Sequence, residues 1–117
     1  MESISDIMAE DFEEAVTTSD MPIVLEFWVR SCSYCQMFKP VYDRLPGYYG
    51  GGVGFLRMNM LKSIGNLRLA EGMGVEQTPT MKVFCGGAEV GEIVGFRKFE
   101  EAVEELDGIL SSEGCLR

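Results

Sequence analysis

The chain has 117 residues, the usual size of one domain, so we expect a single domain over residues 1–117 and exclude a two-domain enzyme with a cleft between its domains. Hydrophobic residues make up 46% of the chain and charged residues 25%, which excludes a disordered protein. No apolar run approaches the roughly 18 residues of a membrane span, and the acidic N-terminal stretch is unlike a signal peptide. We therefore expect a soluble, cytoplasmic protein with no membrane partner.

The net charge and the absence of histidine further limit the partners and the kinds of active site that the chain can have. The formal net charge of -9 repels phosphate backbones, so we expect no nucleic-acid partner. The chain contains no histidine, which excludes histidine bases, histidine-based triads and histidine metal ligands. Four cysteines remain, too few at this length for a disulfide-built scaffold: Cys32, Cys35, Cys85 and Cys115.

The hydrophobic pattern predicts helices that alternate with strands, followed by a hairpin and a last helix. Alternation in the first part implies parallel strands with right-handed crossovers, and the hairpin adds antiparallel strands, so we expect an α/β fold with a mixed sheet. In chain order the pattern predicts a short strand around residues 3–7, a short helix around 12–16, a buried strand at 23–28, a helix from Cys32 with a kink at Pro40, a turn at 47–52, a strand at 53–59, a short helix at 67–71, a hairpin at 80–94, an amphipathic helix at 99–109 and a frayed tail at 111–117.

Cys32 and Cys35 lie at positions i and i+3 at the start of a predicted helix, directly after a buried strand. Thiols at this spacing lie within the Cα separation of roughly 4.4 to 6.8 Å that a disulfide tolerates. Free N–H groups and the dipole at a helix N-terminus favour a thiolate, and Cys32 is nearer to that end than Cys35. The spacing therefore predicts an attacking Cys32 and a resolving Cys35.

Two other interpretations of this pair stay open. A structural zinc site would need two more ligands, which only Cys85 and Cys115 could supply. The pair could also be core residues without chemistry, although loops between strands and helices often present active groups. We expect Cys85 to lie too far away to resolve a disulfide, about 20 Å along its strand. We expect Cys115 to be an exposed thiol of no consequence in the frayed tail.

Several short motifs follow one another along the chain: Leu25-Glu-Phe-Trp28, Cys32-Ser-Tyr-Cys35, Lys39-Pro40, Val75-Glu-Gln-Thr-Pro-Thr80 and Val94-Gly95. In this order they resemble the thioredoxin family, and the resemblance covers nearly all of the chain. It implies a thioredoxin-like fold with a mixed central sheet flanked by helices on both faces.

The resemblance also implies roles for individual residues. Pro79 would follow a cis peptide bond and lie beside the cysteines, and the backbone of Thr78 would pair with an extended substrate segment. The remaining residues that the resemblance implies are Ser33, Tyr34 and Gly95 for substrate binding, and Trp28, Pro40 and Arg57 for structural support.

The chain departs from the family's usual pattern at the motif and in the sheet. Ser31 stands where a tryptophan is usual, Ser33-Tyr34 replaces glycine-proline, Glu26 replaces a buried aspartate and Arg57 replaces a lysine. Burial would raise the pKa of Glu26 into a range useful for proton transfer, so Glu26 is a candidate acceptor for the proton of Cys35. The alternative is a structural ion pair with Arg57, and both roles can hold together.

We therefore expect a monomeric protein thiol–disulfide oxidoreductase that needs no metal or organic cofactor. Its partners would be disulfide-containing protein substrates and an unidentified reductase. A glutathione-dependent, glutaredoxin-like protein is the alternative among enzymes, since Ser33-Tyr34 is similar to the dipeptide of some glutaredoxins. A module that binds a metal or an iron–sulfur cluster through thiolates is the alternative outside that class.

Overall fold

The computed structural model describes residues 4–115, which form a five-stranded sheet with helices on both faces. None of the helices in this part of the chain is long and apolar enough to cross a membrane. The strands are β1 (Ser5–Asp6), β2 (Ile23–Trp28), β3 (Gly54–Asn59), β4 (Thr80–Cys85) and β5 (Ala88–Val94), in the spatial order β1-β3-β2-β4-β5. The helices are α1 (Ser33–Tyr49), α2 (Ile64–Gly72) and α3 (Phe99–Ser112), and a 3-10 turn (Ala9–Asp11) and a π-helical turn (Glu13–Thr17) precede β2.

The directions of the strands confirm the predicted mixed sheet. β1 and β2 both run parallel to β3, whereas β4 runs antiparallel to its neighbours β2 and β5. Parallel neighbours need crossover connections, and α1 supplies the one between β2 and β3. The α/β class that was expected from the alternating pattern is therefore correct.

The central strand β2 supplies side chains to two separate hydrophobic cores. Val24 packs with Phe38 of α1 and Leu106 of α3 on one face. Leu25 and Phe27 pack with the residues of α2 and of the segment before β2 on the other face. A strand that is covered on both faces needs a nearly continuous apolar run, which is why β2 could be predicted from its sequence.

Three chain segments meet at one edge of the sheet, and this edge holds the cysteine pair. Trp28 lies opposite Asn59 in the parallel pairing of β2 with β3, so the loops that follow the two strands leave the sheet side by side. β4 runs the other way and therefore enters the sheet at the same edge, at Thr80. Residues 29–32, 60–63 and 76–79 thus come together.

Several predicted boundaries were wrong because capping overrides the local pattern. A turn was predicted at residues 47–52, but α1 continues through Tyr49 and ends at Gly50, whose φ of 58° is left-handed. The next helix was predicted from Leu67, but α2 begins at Ile64 because the Ser63 hydroxyl accepts a hydrogen bond from the Asn66 amide at 3.0 Å. The predicted first helix consists instead of the 3-10 and π-helical turns.

The predicted short strand around residues 3–7 is β1, which is only two residues long. Residue 3, the first of that prediction, lies outside the described residues, as do residues 116–117 of the predicted tail. Ser111 and Ser112, also assigned to the frayed tail, form the last turn of α3.

Cys85 and Cys115 form a disulfide, so the prediction of two unconnected thiols was wrong. Their Cα atoms lie 6.0 Å apart, within the range that a disulfide requires. The path of the chain brings them together. β5 returns the chain to the edge with the cysteine pair. α3 is about 21 Å long at 1.5 Å per residue, and it carries the chain back to the far end of β4. The segment as far as Cys115 is therefore attached to the sheet and is not a frayed tail.

Candidate active site

Cys32 occupies the capping position at the N-terminus of α1. Its Sγ accepts a hydrogen bond from the backbone N–H of Cys35 at 3.1 Å, which is the role that a serine or aspartate oxygen plays at other helix starts. The side chain of Cys32 is partly exposed, whereas that of Cys35 is only 2% exposed. An external disulfide can therefore reach the first sulfur and not the second.

The two thiols also differ in pKa, and the more exposed thiol has the lower pKa. Partial burial disfavours the Cys32 thiolate, but hydrogen bonds to the thiolate from the side chains of Cys35 and Thr78 and from the backbone of Cys35 and Tyr34 outweigh burial and lower the pKa of Cys32. Burial, reinforced by the hydrogen bond with Cys32, raises the pKa of Cys35 to about 11. Near neutral pH the pair therefore consists of a Cys32 that ionises readily and a Cys35 that stays protonated.

The segment before β4 lies against the attacking sulfur. The Thr78–Pro79 peptide bond is cis, as the family resemblance implied. The Cys32 thiol donates a hydrogen bond to the carbonyl oxygen of Thr78 at 3.4 Å. The N–H of Gly95 donates to the carbonyl of Pro79 at 2.8 Å, and its φ of 97° is a conformation that glycine adopts freely. These contacts connect Cys32, Thr78, Pro79 and Gly95.

Glu26 and Arg57 form a buried ion pair across β2 and β3. Arg57 Nε lies 3.3 Å from Glu26 Oε1, and the two side chains are 8% and 0% exposed. Burial raises the pKa of Glu26 to about 7, although Arg57 opposes this change. Among the described residues, neither carboxylate oxygen of Glu26 has a hydrogen-bond partner. The carboxyl group can therefore take up and release a proton near neutral pH.

A pocket of about 180 Å³ is lined both by Arg57 of the ion pair and by the buried Cys35. Trp28 forms another wall, and the Arg57 guanidinium lies 5.1 Å from the centre of a Trp28 ring. The Trp28 indole N–H donates to Asp6 Oδ1 at 3.3 Å, which orients the ring. Trp28 therefore packs against the Arg57 guanidinium.

The remaining predicted residues lie at the start of α1 or inside it. Ser33 and Tyr34 form its exposed first turn, and the Tyr34 side chain is 61% exposed. Pro40 lies inside the same helix, beyond the cysteines. Sequence reasoning missed Leu61 and Ile64, which are 65% and 68% exposed at this edge of the sheet. They follow β3, so the parallel pairing of β2 with β3 was the signal that could have revealed them.

The zinc interpretation lacks the ligands that it required. Cys85 and Cys115 are bonded to each other, and Cys85 lies at the end of β4 remote from Thr80 and the cysteine pair. Within residues 4–115, no three Cys, Asp or Glu side chains come together as a metal site. The thiols of Cys32 and Cys35 are both free.

Comparisons with known proteins agree with this arrangement. The Thioredoxin family model matches residues 3–107. This chain belongs to the thioredoxin family. Thioredoxin from Haemophilus influenzae is 35% identical over 95 residues, which are 81% of this chain and 86% of the relative. Thioredoxin 1 from Nostoc sp. is 30% identical with the same coverage, and thioredoxin from Rickettsia bellii is 28% identical over 103 residues, or 88% of this chain and 95% of the relative.

Membership of the thioredoxin family confirms the predicted fold and the predicted class of reaction. The protein is a thiol–disulfide oxidoreductase. Cys32 and Cys35 are adjacent at the N-terminus of α1, at the position of the family's two cysteines. A dithiol of this kind is oxidised to a disulfide as it reduces a disulfide in its substrate.

Proposed function

We propose that this protein reduces disulfide bonds in other proteins, with Cys32 as the attacking and Cys35 as the resolving cysteine. The observation that carries the proposal is the contrast between a partly exposed Cys32 capping α1 and a Cys35 buried behind it. The Cys32 thiolate attacks one substrate sulfur, and the other sulfur leaves as a thiolate that takes up a proton. Cys35 then attacks Cys32 Sγ and expels the second substrate thiol, which leaves a Cys32–Cys35 disulfide.

Glu26 accepts the proton of Cys35 in this scheme. Cys35 has a pKa of about 11, so the second attack at neutral pH needs a base. Glu26, with a pKa of about 7, matches that requirement. The pocket lined by Cys35 and Arg57 also has Gln36 and Lys39 in its wall and is large enough for water, which would relay the proton to the carboxylate that Arg57 contacts.

The substrate lies as an extended segment along the backbone of Thr78, beside Pro79 and Gly95, and contacts Ser33 and Tyr34. Exposed apolar side chains at the same edge of the sheet favour a protein substrate over a small molecule. These side chains, all more than half exposed, are Tyr34, Met37, Leu61 and Ile64.

A reductase restores the dithiol after each cycle. The protein acts as a monomer in the cytoplasm and needs no metal or organic cofactor. Self-repulsion at a net charge of -9 supports the monomer, which light scattering over a range of protein concentrations would test. The Cys85–Cys115 disulfide offers a test of the cytoplasmic location, because reductants in the cytoplasm keep thiols reduced. Free thiols at this pair in cells would support the location, and a disulfide would contradict it. A thiol-trapping experiment in cells would show the redox state of this pair.

The proposed activity is tested by the reduction of a soluble disulfide-bonded protein with dithiothreitol as the source of electrons. Cys32→Ser is expected to lower the rate to that without protein, and Cys35→Ser to stop turnover after the first attack. The double variant Cys85→Ser with Cys115→Ser is the matched control and should keep the activity. Loss of activity in the control together with full activity in Cys32→Ser would show that the site is elsewhere.

A further inference from the structure

A pocket of about 330 Å³ beside the cysteine pair carries positive charge in an otherwise strongly acidic protein. Arg30 and Lys62 line it, together with Trp28 and Asn59. Both cations are exposed, and neither forms an ion pair with any residue in 4–115. Their charges are therefore available to an anionic group from outside.

Two of the residues that line this pocket lie close to Cys32 along the chain or across the sheet. Arg30 is two residues before Cys32, so their Cα atoms lie within roughly 7 Å of each other. Lys62 belongs to the loop after β3, and the Met60 amide donates to the Trp28 carbonyl at 2.9 Å, which holds that loop against the end of β2. Both cations thus lie on the β3 side of Cys32.

The opposite side of Cys32 carries negative charge. The segment before β4 contacts Cys32 through Thr78, and Glu76 lies two residues before Thr78. Glu76 is exposed and lines a small pocket of about 120 Å³ with Glu92, a residue that already pairs with Lys82 at 2.8 Å. Because β2 lies between β3 and β4, the sheet order separates the cations from these carboxylates on either side of the reacting sulfur.

Other charged groups near the cysteines are already engaged. Lys39 pairs with Asp43 at 3.0 Å, and Arg57 pairs with Glu26. Asp6 is the acidic residue in the wall of the 330 Å³ pocket, and its Oδ1 accepts the hydrogen bond from Trp28. One carboxylate against two cations leaves this pocket with net positive charge.

We propose that the protein selects substrate segments with an acidic residue two or three positions from the reacting cysteine, whose carboxylate Arg30 and Lys62 bind. This inference rests on the proposed function. An extended segment advances about 3.3 Å per residue, so two residues cover the separation of up to roughly 7 Å between the Cα atoms of Cys32 and Arg30. A guanidinium binds a carboxylate through two parallel hydrogen bonds, and the ammonium adds a second charge. Glu76 disfavours an acidic residue on the other side of the substrate cysteine.

The test measures how fast the pre-reduced protein attacks short peptides in which one cysteine carries a thiopyridine group. This leaving group is uncharged and absorbs light when it is released, so stopped-flow absorbance gives the rate constant for attack by Cys32. The peptides carry Glu, Gln or Lys two or three residues before, or two or three residues after, the cysteine. We expect Glu to react about 5-fold faster than Gln on one side of the cysteine only, and the ratio to fall as salt is added.

Substitutions in the pocket test whether it causes the preference for the Glu peptide. Arg30→Gln with Lys62→Gln should reduce the Glu to Gln ratio to about one, and Arg30→Glu with Lys62→Glu should make the Lys peptide the preferred one. Arg44→Gln with Arg68→Gln is the matched control, because it removes the same charge from exposed positions outside the pocket and should keep the wild-type ratio. Loss of the ratio in this control would attribute it to net charge and overturn the proposal.

The remaining outcomes separate this inference from the proposed function. Equal rates for the Glu, Gln and Lys peptides would overturn the inference and leave the reduction of disulfides standing. A failure to react with any peptide would overturn both. Glutathione carrying the same thiopyridine group serves as a further substrate. If it reacts faster than the Glu peptides and loses that advantage in Arg30→Gln with Lys62→Gln, the pocket binds glutathione and the assignment to protein segments is wrong.

Discussion

At the scale of single residues, the chemistry depends on two sulfur atoms three positions apart in unlike surroundings. Cys32 receives a backbone hydrogen bond at 3.1 Å at the start of α1, where the dipole favours negative charge. Cys35 lies one turn further in, where burial removes the solvent that a thiolate needs. The start of α1 therefore makes the Cys32 thiol reactive, while burial keeps the Cys35 thiol protonated.

Alkylation should reveal this difference. With a pKa of about 11 for Cys35, only about one molecule in ten thousand carries its thiolate at pH 7, so iodoacetamide should label Cys32 almost exclusively. Peptide mapping of the labelled protein over a range of pH checks this result. Faster labelling of Cys35 at neutral pH would reverse the assigned roles.

Glu26→Gln should slow the second chemical step much more than the first. The amide keeps the shape of the side chain but cannot accept the proton of Cys35, so the mixed disulfide should persist roughly 10² to 10⁴ times longer. Rapid-quench measurement of its lifetime checks this, with Glu104→Gln on the exposed surface of α3 as the control. An unchanged lifetime would leave Glu26 as a structural partner of Arg57.

The same residue should make stability depend on pH. The pKa of Glu26 is about 7 in the folded protein against an ordinary 4.5, so the folded state binds more protons than the unfolded state between these values. The contribution of Glu26 to the free energy of unfolding is therefore largest below pH 4.5 and falls by about 3 kcal/mol as the pH rises to 7. Urea unfolding of the wild type and of Glu26→Gln at several pH values measures it, and parallel pH profiles would contradict it.

At the scale of elements, the Cys85–Cys115 disulfide attaches the end of α3 to the end of β4. A cross-link between residues 30 positions apart restricts the unfolded chain, and for a loop of this length the stabilisation is about 3 to 4 kcal/mol. Cys85→Ser with Cys115→Ser should lower the free energy of unfolding by that amount, measured with urea in the absence of reductant. Equal midpoints for the wild type and the variant would show that the cross-link adds nothing.

Strong periodic patterns predicted the elements with the largest buried faces. β2 is apolar almost throughout, and the hairpin of β4 and β5 turns at Gly86–Gly87, as its sequence indicated. The 3-10 and π-helical geometry of the first helical segment and the true start of α2 were not predicted, because turn geometry and side-chain capping decide them and neither leaves a periodic signal. The disulfide was missed because it follows from the lengths of β5 and α3, which only the three-dimensional path relates to each other.

The site was predictable to the extent that its residues are adjacent in sequence or match the family motifs. The spacing of Cys32 and Cys35 and the acid within an apolar strand were visible in the sequence. Arg30 and Lys62 were not, because exposed cations carry no pattern and their proximity depends on the order of the strands. Residues that are distant in sequence but close in this way can be identified only once the fold is known.

At the scale of the whole molecule, the sheet keeps two kinds of cysteine chemistry apart. β4 runs from Thr80 beside the reactive pair to Cys85 in the disulfide, and these five residue steps span about 17 Å. One edge carries the reactive cysteine pair, and the other is cross-linked. The central claim is that substrates are attacked at the first edge only, by Cys32.

Trapping of the mixed disulfide tests that claim most directly. Cys35→Ser removes the resolving thiol, so incubation of the reduced variant with a soluble disulfide-bonded protein should accumulate a covalent complex. We predict that mass-spectrometric mapping of this complex will find the substrate cysteine linked to Cys32. A complex linked through Cys85 or Cys115, or the absence of any complex while the wild type reduces the same protein, would contradict the assignment of Cys32 as the attacking residue.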